Sequence, residues 1–335
     1  MRSLVFAVVT LSVLAALQLV LRPFPFYANL ACLVGVNVVL AVSLNIINGM
    51  TGQFSIGHAG FMAVGAYGAG LLSLALKDFT IGALGDAVSA QLFLLASLVV
   101  GGVAAAACGF LVGLPSLRLK GDYLAIVTLG FGEIIRVVVQ NSQVLGASLG
   151  LSTIPQTASA FMVWLWVAIV VLLARRIAHS PHGRSLWAIR EDEVAAEAMG
   201  IDTTAYKVRA FVVSSFFAGV AGGLFAHFVP LISPAQFSFV RSMEVVVMVV
   251  AGGLGSTTGA VVAAVFLTLL PEGLRTLFQT MGGDDTSLAS KVDQIRMPIY
   301  GLLLVAIMLT RPQGLFGTGE LWDWFSKRSK PRATT

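Results

Sequence analysis

The sequence predicts an all-α protein, a polytopic membrane helix bundle of about ten transmembrane helices, and three observations support this fold class. Of the 335 residues, 57% are hydrophobic and only 11% are charged, and the mean hydropathy is +0.90; soluble globular domains carry roughly 25% charged residues. The apolar residues form runs of about 20, the length at which an α-helix crosses a bilayer. The basic residues, which give a net charge of +5, occupy short gaps between these runs. That distribution is typical of topology signals and not of a nucleic-acid surface.

Seven apolar runs are each predicted to cross the bilayer once. In chain order they are 4–21, 28–48, 54–76, 92–114, 123–139, 161–174 and 210–229. The first has no convincing small-residue cleavage site before Arg22, so we expect a retained helix and not a signal peptide. Two later runs are ambiguous, because 243–270 is too long for one span and contains a glycine-rich break at 252–259, and 295–310 contains Pro298.

Lys and Arg determine the number of crossings, since cytoplasmic loops carry the excess of positive charge. The basic segment 175–209 and the tail 311–335 are both predicted to be cytoplasmic, so an even number of spans separates them. Because 210–229 and 295–310 supply one span each, 243–270 must form two short helices that meet at its break. Arg118 and Lys120 are also predicted to be cytoplasmic, which places the loop 77–91 outside. The chain from 27 to 76 therefore enters the membrane and turns back near 49–52, on the cytoplasmic side. We expect a single domain over 1–335, with a cytoplasmic coupling loop at 178–207, a cytoplasmic tail at 311–335 and both termini inside.

The segments 49–52 and 252–259, which we call the two glycine-rich breaks, are the predicted wall of a translocation path. Irregular backbone at membrane depth is tolerated only where protein or a water-filled cavity surrounds it, and paired broken segments point to a substrate path. The predicted path residues are polar and glycine positions of both breaks: Asn45, Asn48, Gly49, Thr51, Gly52, Gln53, Ser55, His58, Gly252, Gly253, Gly255 and Ser256. Tight helix packing is the alternative for individual glycines, and His58 also fits a packing histidine.

Ionisable residues inside the apolar runs are scarce and are therefore candidates for function. Glu133 and Arg136 are three residues apart on one predicted helix, so we expect an intramembrane ion pair facing the bundle interior, with a role in gating as the alternative. Arg241 and Glu244 lie near the predicted outer face, where anchoring and contact with an external protein are both open. No catalytic triad, metal cluster or P-loop is recognisable, so we predict neither an enzyme nor a chain that itself binds ATP or another cofactor.

The polar segment 183–202 is predicted to form a short cytoplasmic helix that contacts a partner. Ser185 is the expected N-cap, and Gly200 is the expected left-handed residue that ends the helix. The acidic run 191–193 offers charge to a partner in the cytoplasm. A helix lying on the lipid headgroups is the alternative, but anionic lipid favours Lys and Arg on the polar face.

This segment resembles the EAA coupling loop of ABC-importer permeases, in which Glu-Ala-Ala is followed three residues later by Gly. Ala195, Ala196 and Gly200 match that spacing, and Val194 occupies the Glu position. The resemblance implies that the ATPase-coupling residues are Arg184, Arg190, Glu191, Asp192, Glu193, Ala195, Ala196 and Gly200.

The rest of the chain is similar to the LivM-like, M-type permease subunits of branched-chain amino acid ABC importers. The matching stretches are 43–60, 121–136, the coupling loop, 251–256 and 311–315. One segment, 145–155, departs from the Thr-Gly-Gly-Pro-like external loop that is usual in such permeases. The resemblance covers nearly the whole chain.

The resemblance implies a permease subunit of an ATP-driven importer in the bacterial cytoplasmic membrane, which translocates branched-chain or other hydrophobic amino acids. The implied partners are a homologous H-type permease subunit in a heterodimer, two cytoplasmic ABC ATPase subunits that bind the ATP, a periplasmic or extracellular substrate-binding protein, and the bilayer. Three alternatives stay open: an ABC permease for urea or short amides, a stand-alone channel or secondary carrier, and a structural subunit of a larger membrane complex.

Overall fold

The computed structural model describes residues 22–76, 86–116 and 123–282, with the backbone alone at 86–88 and 277–282. It also describes the separate residues 12, 16, 18–20, 298, 301, 302, 306, 309, 310, 314, 315, 317, 319 and 320. The α-helices of the continuous ranges are α1 (Pro25–Asn45), α2 (His58–Ala75), α3 (Asp86–Ser116), α4 (Tyr123–Asn141), α5 (Ala160–His179), α6 (Pro181–Glu191), α7 (Glu193–Ala198), α8 (Thr203–Ala226), α9 (Phe239–Gly252) and α10 (Thr257–Gly282). A π-helical turn, Ile46–Thr51, follows α1 directly.

Seven helical segments of the described ranges are long and apolar enough to cross a bilayer, which confirms the polytopic helix bundle. They are Pro25–Thr51, His58–Ala75, Ser89–Ser116, Tyr123–Asn141, Ala160–His179, Thr203–Ala226 and Thr257–Thr276. Most bounds differ from the predicted runs because helix continues into polar flanks, as at the start of α8. The predicted runs 4–21 and 295–310 lie largely outside the described residues.

The segment predicted to form two short helices does contain two helices, but they are unequal. Helix α9 has 14 residues and is about 21 Å long, which is short of the roughly 30 Å hydrocarbon core. Helix α10 has 26 residues and continues through Pro271. The prediction of a short second helix was therefore wrong, because the helix extends past the end of its apolar run.

The core of the bundle is packed around small residues. A methyl group added to Gly222 of α8 would lie 1.9 Å from the Met62 carbonyl oxygen of α2, and one added to Gly65 would lie 2.2 Å from Gly219 Cα. Helices α2 and α8 therefore touch through their backbones, the arrangement that small residues permit in membrane helix pairs. Gly65 and Gly222 are therefore packing residues of this helix pair.

Short irregular elements close the end of the bundle where α2 and α8 finish. Strands β1 (Leu151–Ser152) and β2 (Leu231–Ile232) pair antiparallel, which joins the α4–α5 connection to the α8–α9 connection. At the same end the Ser73 hydroxyl lies 2.6 Å from His227 Nε2. The segment 145–155, which departs from the usual family pattern, is part of this closure.

Candidate functional site

The two glycine-rich breaks meet at the end of the bundle opposite the strand pair. The backbone N–H of Gly255 donates a hydrogen bond of 2.8 Å to Asn45 Oδ1. A methyl group on Gly49 would lie only 2.4 Å from the Gly255 nitrogen. The predicted path residues of the two halves are therefore brought into direct contact, 210 residues apart in sequence.

Polar side chains of the first break bind their own backbone. Asn48 Oδ1 accepts a hydrogen bond of 3.1 Å from the Ser55 N–H, and Asn48 Nδ2 donates one of 3.4 Å to the Ser55 carbonyl. The Thr51 hydroxyl donates to the Ile47 carbonyl at 2.7 Å. These bonds satisfy backbone groups that the end of α1 and the loop 52–57 leave without helical partners.

The second break contains a glycine with positive φ and a capped helix N-terminus. Gly253 has a φ of +113°, a conformation that side chains rarely adopt. At the start of α10 the Glu320 carboxylate accepts hydrogen bonds from the N–H groups of Thr257 and Thr258 at 2.6 and 3.1 Å. A negative charge at a helix N-terminus is favourable because the helix dipole is positive there. Glu320 thus caps the N-terminus of α10 next to the break.

Most of the predicted path side chains are buried in this conformation. The buried members, each at most 4% exposed, are Asn45, Asn48, Thr51, Ser55, His58 and Ser256, whereas Gly52 is exposed and Gln53 half-buried. His58 Nε2 lies 2.8 Å from the Ser43 hydroxyl, as expected for a packing histidine. Two buried polar atoms, Asn45 Nδ2 and Ser55 Oγ, have no hydrogen-bond partner among the described residues.

The coupling loop contains two helices, not the predicted single helix. Ser180, and not Ser185, caps α6, because its hydroxyl accepts from the Gly183 N–H at 3.1 Å. Asp192 interrupts the helix and caps α7 by accepting from the N–H groups of Val194 and Ala195 at 2.9 and 3.0 Å. Gly200 ends this region with a φ of +84°, which confirms its predicted left-handed conformation.

The acidic run separates into three different environments. Glu191 is exposed, and Asp192 is the cap already described. Glu193 Oε1 lies 2.6 Å from Lys207 Nζ at the start of α8, and the Lys207 side chain is only 4% exposed. Glu193 therefore joins the loop to a membrane helix.

The outer side of the loop carries exposed residues of mixed chemistry. We call this set the outer loop face: Arg184, Glu191, Val194, Ala195 and Met199. Ala196 is buried, whereas Gly200 is exposed. Most of the predicted coupling residues therefore lie where a partner could reach them.

Arg190 points away from this surface, because its guanidinium lies against both breaks. Arg190 Nη1 donates a hydrogen bond of 2.7 Å to the Gly49 carbonyl and lies 3.4 Å from the Leu254 carbonyl. Its guanidinium carbon is 5.2 Å from the centroid of the Trp187 ring. The sequence alone contained no signal for this contact, since it depends on the meeting of three distant segments.

Comparison with known proteins identifies the family of this fold and loop. A family model described as branched-chain amino acid transport system / permease component matches residues 26–309. The chain belongs to this family.

Named relatives agree with the LivM-type resemblance found in the sequence. The chain is 33% identical to the high-affinity branched-chain amino acid transport system permease protein LivM of Escherichia coli strain K12, over 90% of this chain and 74% of that protein. It is 26% identical to the probable branched-chain amino acid transport permease protein LivM of Methanocaldococcus jannaschii, over 84% of this chain and 90% of that protein. A shorter match, 28% identical over 49% of each chain, is to the permease protein LivH of Escherichia coli strain K12.

The predicted intramembrane ion pair of this family member forms, but it does not face the interior of the chain. Arg136 Nη2 lies 2.7 Å from Glu133 Oε2, and their side chains are 30% and 36% exposed. The exposed surface of α4 also includes Ile126, Ile134 and Val138. The predicted orientation was wrong because the rest of the chain covers little of α4, of whose span only 28% is buried.

A second ion pair, Arg241–Glu244, lies at the start of α9, at the end of the bundle away from the two breaks. Arg241 Nη1 lies 2.8 Å from Glu244 Oε2, and Arg241 Nη2 donates to Asn37 Oδ1 at 2.5 Å. Asn37 Nδ2 in turn donates to the Thr268 hydroxyl at 2.8 Å. The network joins α1, α9 and α10, which supports the anchoring interpretation of Arg241 and Glu244.

Proposed function

We propose that this chain is the membrane permease subunit of an ATP-driven importer that moves branched-chain or other hydrophobic amino acids across the bacterial cytoplasmic membrane. Beyond family membership, the observation that carries the proposal is the coupling loop. Its inner side contacts both breaks of the membrane helices, while the outer loop face stays open. A loop built in this way can receive force from a partner and deliver it to the bundle.

The partners follow from the surfaces that the bundle leaves uncovered. Two cytoplasmic ABC ATPases would bind the ATP and meet the outer loop face, because the sequence carries no P-loop of its own. A homologous H-type permease would cover the outward side of α4, since a charged pair such as Glu133–Arg136 is costly against lipid. The partial match to LivH supports a heterodimer of similar subunits. A periplasmic or extracellular binding protein would dock at the end closed by β1 and β2.

The topology in this proposal is that of the sequence analysis. One permease domain spans 1–335, the coupling loop 178–207 and the tail 311–335 lie in the cytoplasm, and so do both termini. The translocation path passes the two breaks, where Gly52 and Gln53 are accessible and the buried polar side chains hold the loops in place.

The test is reconstitution of the chain with its H-type subunit, ATPases and binding protein in lipid vesicles. We expect uptake of radiolabelled leucine that needs ATP and that excess isoleucine or valine suppresses. Suppression by urea or acetamide instead would identify an amide permease. ATP-independent uptake by the chain alone would contradict the proposal and identify a channel or carrier.

The outer loop face is tested separately. Glu191→Lys reverses an exposed charge without touching a cap or an ion pair, so we expect reduced co-purification of the ATPases with normal membrane insertion. Gln143→Lys, an exposed position at the other end of the bundle, is the matched control. Equal ATPase recovery with both variants would remove Glu191 from the contact.

A further inference from the structure

We propose that Arg190 is the positioning residue that links the coupling loop to both glycine-rich breaks, so that a movement of α6 reaches α1 and α10 together. The inference rests on the proposed function, because it specifies how the loop transmits force. Its structural basis is that one guanidinium contacts carbonyl groups of two broken segments 141 and 64 residues away.

The fit around this side chain leaves little free space. A methyl group on Gly52 would lie 2.9 Å from Arg190 Cγ, and one on Gly255 would lie 2.8 Å from Arg190 Nη1 and 2.5 Å from the Trp187 ring. Close-packed groups transmit a displacement because they cannot be compressed. The glycines of both breaks are thus what allows α6 to approach so closely.

The chemistry of the contact explains why a cation occupies this position. Gly49 lies in the last turn of the helical segment that begins with α1, and Leu254 lies just beyond the end of α9. The C-terminal end of a helix carries partial negative charge on its unpaired carbonyls. Two such ends converge here, and Arg offers a fixed fork of donors that stays charged.

The experiment compares Arg190→Gln and Arg190→Lys with Arg176→Gln, an exposed arginine at the end of α5. Each variant is assembled with the H-type subunit, ATPases and binding protein, and leucine uptake is divided by ATP hydrolysed in the same vesicles. We expect Arg190→Gln to keep ATPase binding and to lower this ratio roughly tenfold or more, the effect of losing a hydrogen bond from a charged group. Arg190→Lys should give an intermediate ratio, and Arg176→Gln the wild-type ratio.

A wild-type ratio in Arg190→Gln would overturn the inference and leave the proposed function intact. Failure of the wild-type chain to bind ATPases, or uptake without ATP, would instead overturn the proposed function. If Arg190→Gln does not assemble, hydrogen exchange of the wild-type complex decides. A non-hydrolysable ATP analogue should then change the protection of 187–190, 49–52 and 253–256 together, and a change confined to 187–190 would refute the link.

Discussion

The ion pair between Glu193 and Lys207 offers a quantitative test of how the coupling loop is attached. Glu193 Oε1 and Lys207 Nζ are 2.6 Å apart, and the side chains are 31% and 4% exposed. Glu193→Gln keeps the size and one acceptor oxygen but removes the negative charge. The Lys207 ammonium would then stay buried without its counter-charge, which is the costly state.

The expected loss of stability can be bounded from the geometry. At the 2.6 Å separation and an effective dielectric constant of about 20, the attraction is about 6 kcal/mol. Much of this is offset by desolvation, and about a third of the carboxylate is in contact with solvent. Since Gln retains an acceptor, we expect a net destabilisation of about 2 kcal/mol, within the range of hydrogen bonds to charged groups.

The measurement is thermal unfolding of the detergent-solubilised chain, followed by tryptophan fluorescence. Glu191→Gln is the matched control, because Glu191 is exposed on the same loop and should change stability by less than about 0.5 kcal/mol. The double variant Glu193→Gln/Lys207→Gln removes both charges and should recover part of the loss. Equal midpoints for Glu193→Gln and Glu191→Gln would refute the reasoning.

Three further predictions concern packing and capping. Gly222→Ala should destabilise the bundle by about 1–3 kcal/mol because the new methyl group overlaps the backbone of α2; Gly130→Ala, where nothing lies within 4 Å, should be neutral or stabilising, and equal unfolding midpoints would contradict this. Asp192→Ala should cost about 1 kcal/mol by removing the α7 cap, whereas Asp192→Asn should retain most of it, and thermal unfolding of both variants checks the difference. Glu320→Ala should speed hydrogen exchange at the first turn of α10 by roughly fivefold, for a loss of about 1 kcal/mol, and unchanged exchange there would show that the carboxylate does not cap the helix.

The spans and breaks could be predicted because their causes are local. A run of about 20 apolar residues is long enough to cross a bilayer wherever it occurs, and the glycines at 252–259 interrupt such a run visibly. Because an even number of spans must separate the basic loops, both breaks were predicted to lie on the same side of the membrane. The structure agrees that the two breaks share one end of the bundle with the coupling loop, because Gly255 contacts Asn45 and Arg190 contacts Gly49.

The orientation of individual side chains could not be predicted in the same way. Arg190 and Glu191 are neighbours in a polar helix, yet one lies against the breaks and the other is exposed. That difference is set by the position of α6 on distant segments. The pairing of Glu133 with Arg136 was local and correct, whereas the side it faces depends on how α4 packs.

The geometry of the breaks also changes which experiments can test a translocation path. Gly253→Val is unsuitable as a probe, because a β-branched residue at a φ of +113° would strain the backbone whether or not substrate passes nearby. Asn48 is equally unsuitable, because both ends of its amide hold the loop to Ser55. Loss of transport in either variant would report a damaged junction. Gln53 is half-buried and forms no hydrogen bond within the described part of the chain. Its replacement can therefore alter the surface of the proposed path without disturbing the contacts between the two breaks.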